Sequence, residues 1–91
     1  MNKIEIIDGH DGFEREVTGT YDLDGNNVYE WELYTYDGLT SIYFKDCEAD
    51  FSLEDEDDME QIGIENGEEI YDEILQFVNH NGYDFIGEEF E

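Results

Sequence analysis

The pair Asp37-Gly38 stands between two runs that alternate apolar and polar residues, "VYEWELYTY" (28–36) and "LTSIYFKD" (39–46). Asp-Gly accepts the positive φ angles of a type I′ turn, whose twist matches that of the strands it joins, so the stretch predicts a two-residue β-hairpin. Such a loop fixes the register, because residues equidistant from the Asp37-Gly38 step must face one another. Trp31 then meets Phe44, Leu33 meets Ile42, and Glu30 meets Lys45. Apolar falls on apolar and acid on base, which a slipped register would not deliver. No other feature of the chain limits its fold as tightly.

The flanking segments extend the pattern. "NKIEII" reads as a short strand and "DGHDG" (Asp8 to Gly12) as a turn. "FEREVTGTYDL" alternates, with Phe13, Val17, Tyr21 and Leu23 on one face and Glu14, Glu16 and Asp22 on the other. A three-residue loop over Gly25 to Asn27 brings Tyr21 and Leu23 onto the Trp31 face. Tyr34, Tyr36, Leu39 and Tyr43 then occupy the opposite face, joined by Ile4 and Ile6. The sheet thus has two apolar-aromatic faces, and one helix can cover only one of them.

"NGEEIYDEILQFVNHNG" supplies that helix. Asn66 is placed as N-cap, and Glu69 three residues on completes a capping box of the Asn/Glu kind. Ile70, Tyr71, Ile74, Phe77 and Val78 follow helical spacing, Glu68, Glu69, Asp72, Glu73 and Gln76 fall outside, and Gly82 suits the C′ position. Ser52 either caps a short helix running into "MEQI" or belongs to a loop, and "YDFIGEEFE" ends as a short strand or an ordered tail. The expectation is one α+β domain over residues 1–91, a small antiparallel sheet of three or four strands with one main C-terminal helix, near 67 to 80, packed on one face.

Charge complicates this picture. The chain has 91 residues, 28 acids against three bases, a formal charge of −25 and 38% hydrophobic residues. Charge and hydrophobicity of this kind lean towards disorder. One Trp, seven Tyr and six Phe lean the other way, since large rings supply most of the burial a small core needs. The opening "MNKIEIIDGH" carries one Lys and no long apolar segment, which reads as neither a signal peptide nor a membrane span. Cys47 has no second cysteine to pair with, which fits a reducing cytosol.

Candidate chemical sites weigh little. "TYDLDGNN" sets Asp22, Asp24 and Gly25 at three positions of an EF-hand loop, but Thr20 and Trp31 stand where Asp and Glu ligands are needed, and the flanks are strands. A turn is the better reading. His10 lies between Asp8 and Asp11 in a loop, and His80 falls at the helix end, where the dipole favours a cation; neither has partners at metal-ligand spacing. Carboxylates are so frequent that no one pair stands out as an acid–base couple. The sequence therefore assigns no catalytic residue, metal or cofactor, and reads as a protein that is not an enzyme.

The charge itself is what calls for a function. Residues 1–45 hold ten acids and all three bases, for −7; residues 46–91 hold eighteen acids and no base, for −18. Five acids run consecutively from Glu54 to Asp58. Solubility needs far less, and the excess repels itself. DNA, RNA and anionic membranes are excluded as direct partners, and a strongly basic protein is implied. Alternate strand residues lie about 6.6 Å apart. Pairs such as Glu14/Glu16 and Glu30/Glu32 thus approach the spacing of phosphates along one strand of a duplex, which carries one charge per about 1.7 Å of axis.

In size, charge, single cysteine and small α+β fold the chain resembles the small acidic DNA-mimic inhibitors of phages and mobile elements, the anti-CRISPR and anti-restriction type. The resemblance implies an inhibitor that acts in the cytoplasm of a bacterial host cell and blocks the DNA-binding surface of a nuclease or CRISPR effector. An immunity protein or antitoxin that neutralises a cognate basic nuclease toxin shares the same charge logic, and an acidic chaperone-like shield for basic partners is the third possibility. Monomer and dimer both remain open. The expected contacts are Glu54, Asp55, Glu56, Asp57 and Asp58, the outer helix acids Glu68, Glu69, Asp72 and Glu73, and the aromatic residues Tyr34, Tyr36 and Tyr43. Rings inside a charged rim have the make-up of a specific interface.

Overall fold

A computed structural model of the chain describes residues 3–10, 16–36, 39–46, 48–83 and 85. Five strands form one antiparallel sheet: β1 (Ile4–His10), β2 (Glu16–Asp22), β3 (Val28–Tyr36), β4 (Leu39–Asp46) and β5 (Ala49–Ser52). Each strand pairs with its sequence neighbours, in the order β1-β2-β3-β4-β5. Helices α1 (Glu56–Gln61) and α2 (Gly67–His80) follow. The architecture is α+β, and α2 has the bounds its apolar spacing predicts.

Register in the central hairpin follows the two-residue step. Trp31 pairs with Phe44, Leu33 with Ile42, Glu30 with Lys45 and Tyr36 with Leu39. Asp37 and Gly38, and with them the turn type, lie outside the described residues. Between β2 and β3 the register differs from expectation by two residues. Asp22 pairs with Val28, so the connection spans residues 23–27 rather than Gly25 to Asn27 alone. Two carboxylates account for the longer loop. Asp22 Oδ1 accepts from the Gly25 N–H at 2.7 Å, and Asp24 Oδ1 accepts from the N–H groups of Asn26 and Asn27, each at 3.0 Å. Because the shift is even, Tyr21 still joins the Trp31 face.

That face is the core. Val17, Tyr21, Trp31, Leu33, Ile42 and Phe44 are buried from the sheet, and Ile70, Tyr71, Ile74 and Val78 from α2. The Trp31 ring lies over Gly19, where an added Cβ would collide with that ring and with the Glu5 carbonyl. Its indole N–H donates to the Thr20 carbonyl at 2.9 Å, and the buried Tyr71 hydroxyl donates to the Thr40 carbonyl at 3.1 Å. Both rings are thereby buried without an orphaned polar group.

Four expectations are corrected. Ile4 is buried in the core, opposite Tyr21, and Ile6 packs against it opposite Gly19, so neither belongs to the open face. A bulge between Ile6 and Asp8 turns Ile7 outward, 63% exposed, and the strand continues through Asp8 to His10 where a turn was expected. The sheet has five strands rather than three or four, since "ADFS" pairs with β4 and sets Phe51 against Phe44. Asn66 stands at the N-cap of α2 but makes no side-chain cap bond, so the capping box does not form. Gly82 does follow the Asn81 C-cap with φ +104, the left-handed value that favours glycine at C′. Phe13, Glu14 and Cys47, and most of the C-terminal "YDFIGEEFE", fall outside the described residues. From that tail Phe85 is buried, held by Asn79, which donates to its carbonyl at 3.0 Å and accepts from its N–H at 2.8 Å.

Candidate functional site

The acid run is built into structure rather than left as a solvated tail. Asp55, not Ser52, caps α1: its Oδ1 accepts from the N–H groups of Asp57 at 2.9 Å and Asp58 at 3.3 Å. Capping by a carboxylate satisfies orphan donors and favours the positive end of the helix. Asp58 Oδ2 accepts from the Ser52 N–H at 3.0 Å, tying α1 to the end of β5. Ser52 Oγ in turn accepts from the Glu54 N–H at 3.2 Å. Two of the five acids therefore hold the backbone, while Glu56 and Asp57 project from the first turn of α1 into solvent.

Close packing brings the two helices together at this end. Gly67 opens α2 and is buried; a Cβ there would stand 2.6 Å from the Leu53 carbonyl and 2.8 Å from Met59 Cγ. The approach sets the first turn of α2 beside α1 and leaves a groove of about 750 Å³ between them. Leu53, Met59 and Ile64 contribute the apolar lining, and Glu54, Glu56, Asp57, Glu60, Glu65, Glu68 and Glu69 the acidic one, with no Lys or Arg among its residues. A second depression of about 660 Å³ shares Glu54, Glu56, Asp57 and Glu68 with it.

The outer helix acids divide. Glu68, Glu69 and Asp72 are exposed, and the first two belong to the groove. Asp72 lies one turn further along α2, outside it. Glu73 is committed elsewhere. Its Oε2 pairs with Lys3 Nζ at 3.0 Å and accepts from the Tyr21 hydroxyl at 3.3 Å, which ties α2 to β1 and β2. The hydrogen bond to Glu73 raises the Lys3 pKa, and burial, ahead of the Lys3 contacts that oppose it, raises that of Tyr21.

The aromatic candidates lie on the other side of the sheet. Alternation along β3 and β4 sends Tyr34 and Tyr43 away from the core, to a face that no described element covers. Their rings stack with centroids 5.7 Å apart and planes at 6°. A hydrogen bond with Tyr43, then burial, pushes the Tyr34 phenol from its usual 10.0 to about 12, and Glu32 and Asp50 add their negative field. Tyr36 ends β3 opposite Leu39. The structure therefore divides the expected contact set: Glu54, Glu56, Asp57, Glu68 and Glu69 line the groove on the helical side, Tyr34 and Tyr43 pair on the open sheet face, and Asp55, Asp58, Asp72 and Glu73 lie outside the groove.

Several participants escaped the sequence reading. Glu60 and Glu65 line the groove; Glu60 lies one helical turn from Glu56, a spacing that signals a shared face only once α1 is recognised. On the open face Glu16 is the cross-strand partner of Tyr34, and Glu32 that of Tyr43. Lys45 bridges Glu32 at 3.4 Å and Asp50 at 3.1 Å, and the bond to Asp50 foremost raises its pKa.

The Asp22–Asn27 loop has its carboxylates turned onto its own backbone. Asp24 Oδ2 also accepts from Asn27 Nδ2 at 3.0 Å, and the hydrogen bonds from Asn26 and then Asn27 lower the Asp24 pKa. These bonds are those of a side-chain-supported turn. Among the described residues no group of three or more His, Cys, Asp and Glu is arranged to hold a metal ion. No helix among them is long and apolar enough to cross a membrane.

The chain matches no protein-family model, no curated protein and no solved structure. Its geometry and charge are therefore the whole basis for a functional reading.

Proposed function

We propose that this protein is an acidic inhibitor, of the anti-CRISPR or anti-restriction kind, that occupies a basic nucleic-acid-binding surface of a nuclease effector complex and excludes DNA by charge mimicry. The observation that carries the reading is the groove between α1 and α2, which seven acidic residues and no base line beside Leu53, Met59 and Ile64. Holding like charges together costs stability, and the Gly67 packing against Leu53 and Met59 that brings the two helix starts together supports a cationic partner as what offsets that cost. The Asp55 and Asp58 anchors keep the acidic turn in place before the partner arrives, which lowers the ordering cost of binding. Long-range attraction should make association fast at low salt and slower as ionic strength rises.

The test is competition with DNA for a nuclease captured from host lysate and then purified. Replacement of Glu56→Gln, Asp57→Asn, Glu68→Gln and Glu69→Gln together leaves Asp55, Asp58 and Glu73 to their structural bonds. Competition should weaken by about tenfold or more at low salt, with the loss mainly in the association rate. Single replacements at such exposed positions should do little. A nuclease that binds its DNA normally with this protein still attached would replace mimicry by an allosteric or dimerising mechanism.

A further inference from the structure

The open face of the sheet carries a second, chemically different surface. Cross-strand pairing places Glu5, Thr20, Glu30, Lys45 and Asp50 in one row across the five strands. Asp8, Thr18, Glu32, Tyr43 and Ser52 form the next row, and His10, Glu16, Tyr34 and Ser41 a third. Partners in such rows share a face. At its centre lies the stacked, half-buried Tyr34–Tyr43 pair, with a carboxylate as the direct cross-strand neighbour of each ring. Acids outnumber the single lysine in these rows by six to one. A flat aromatic surface flanked by carboxylates suits a cation that is itself flat, weakly hydrated and able to stack.

We propose that this open β-face, centred on Tyr34 and Tyr43 and rimmed by Glu16, Glu32 and Asp50, is a docking surface for arginine side chains of an extended basic segment of the partner protein. The inference deepens the inhibitor reading by naming what a second side of the molecule takes. Charge selects the occupant. A second copy of this chain would set acid against acid, and so would the chain's own last residues, which include Glu88, Glu89 and Glu91. Nucleic acid is repelled for the same reason. The face already holds one cation, since Lys45 is paired with Glu32 and Asp50. The fold also makes a cation–ring contact elsewhere, with Lys3 Nζ 5.3 Å from the centroid of Tyr21. Arginine is favoured over lysine because its guanidinium stacks on the ring faces while its N–H fork reaches the neighbouring carboxylates.

The probes are two synthetic nonapeptides of equal charge, alternating Arg-Gly and alternating Lys-Gly, titrated into the full chain at low salt. Ring resonances of Tyr34 and Tyr43 should move on binding, and the arginine peptide should bind about two- to fivefold more tightly than the lysine peptide. Tyr34→Leu with Tyr43→Leu should erase that preference without changing net charge. Tyr34→Phe with Tyr43→Phe should keep it, because the ring faces remain. The groove variant with Glu56, Asp57, Glu68 and Glu69 neutralised should keep it as well. Equal affinity for the two peptides overturns the proposal, as do tyrosine resonances that stay still, shifts confined to the α1–α2 groove, or self-association through this face. The titration contains no nuclease, so it stands or falls independently of the competition assay.

Discussion

On β3, Trp31 and Leu33 turn into the core while Glu30, Glu32 and Tyr34 turn away from it, so one nine-residue strand serves two faces of opposite chemistry. The covered face is filled by large rings and branched side chains under α1 and α2. The open face carries hydroxyls, carboxylates, Lys45 and one stacked tyrosine pair, with Val28 and Leu39 exposed at its ends. Strand periodicity keeps the two separate: substitutions at odd and even positions act on different surfaces. A chain with 38% hydrophobic residues can fold because its buried apolar side chains gather on one face, and the other is then free to carry charge.

The largest effect that would break this division is Trp31→Ala. It removes the ring packed over Gly19 and leaves the Thr20 carbonyl without its indole donor, and should cost about 3–5 kcal/mol in urea unfolding. Tyr43→Thr on the opposite face should cost about 1 kcal/mol or less. Comparable losses at the two positions would mean that the open face is also core.

A second test sharpens the open face alone. Tyr34 has its folded pKa raised from 10.0 to about 12, so its neutral form is favoured by the fold. The associated stability is fully present below pH 10 and is lost as pH rises towards 12. Followed through its own ring resonances, because burial also delays Tyr21, Tyr34 should ionise about two pH units late, and Tyr43→Phe should bring it back towards its ordinary value. Late ionisation that survives Tyr43→Phe would assign the shift to burial instead of the hydroxyl contact.

The smallest effect belongs to the helical side. Raising salt from about 0.05 to about 0.5 M should screen the groove acids and raise Tm by a few degrees, as read by thermal unfolding. Neutralising Glu56, Asp57, Glu68 and Glu69 should shrink that response. An unchanged salt response would show that repulsion in the groove is not what the fold works against.

The same contrast explains what could be read in advance. Periodic elements were legible: the Asp37-Gly38 spacing fixes the β3–β4 register, and the Ile70, Ile74, Val78 spacing fixes α2. Short or irregular elements were not. β5 has four residues and one large apolar side chain, too little to show a period. The bulge at Ile7 and the five-residue Asp-supported turn after β2 depend on where side chains bond locally, which alternation does not encode. For the site, the acids were visible as charge, but their division was not. Asp55, Asp58 and Glu73 are told from their neighbours only by the N–H, lysine and tyrosine groups that reach them in three dimensions.

The neighbour-to-neighbour order of the sheet has a kinetic consequence. Every strand pairing closes a loop of five residues or fewer, so the chain entropy spent on each step is small. The sequence contains no proline, which removes the isomerisation that delays many refolding reactions. The long-distance steps are those of α2, whose Tyr71 reaches Thr40 and whose Glu73 reaches Lys3 and Tyr21. Such local pairings predict fast assembly of the meander, and a helix that docks last would set the lifetime of the native state by how slowly it lets go.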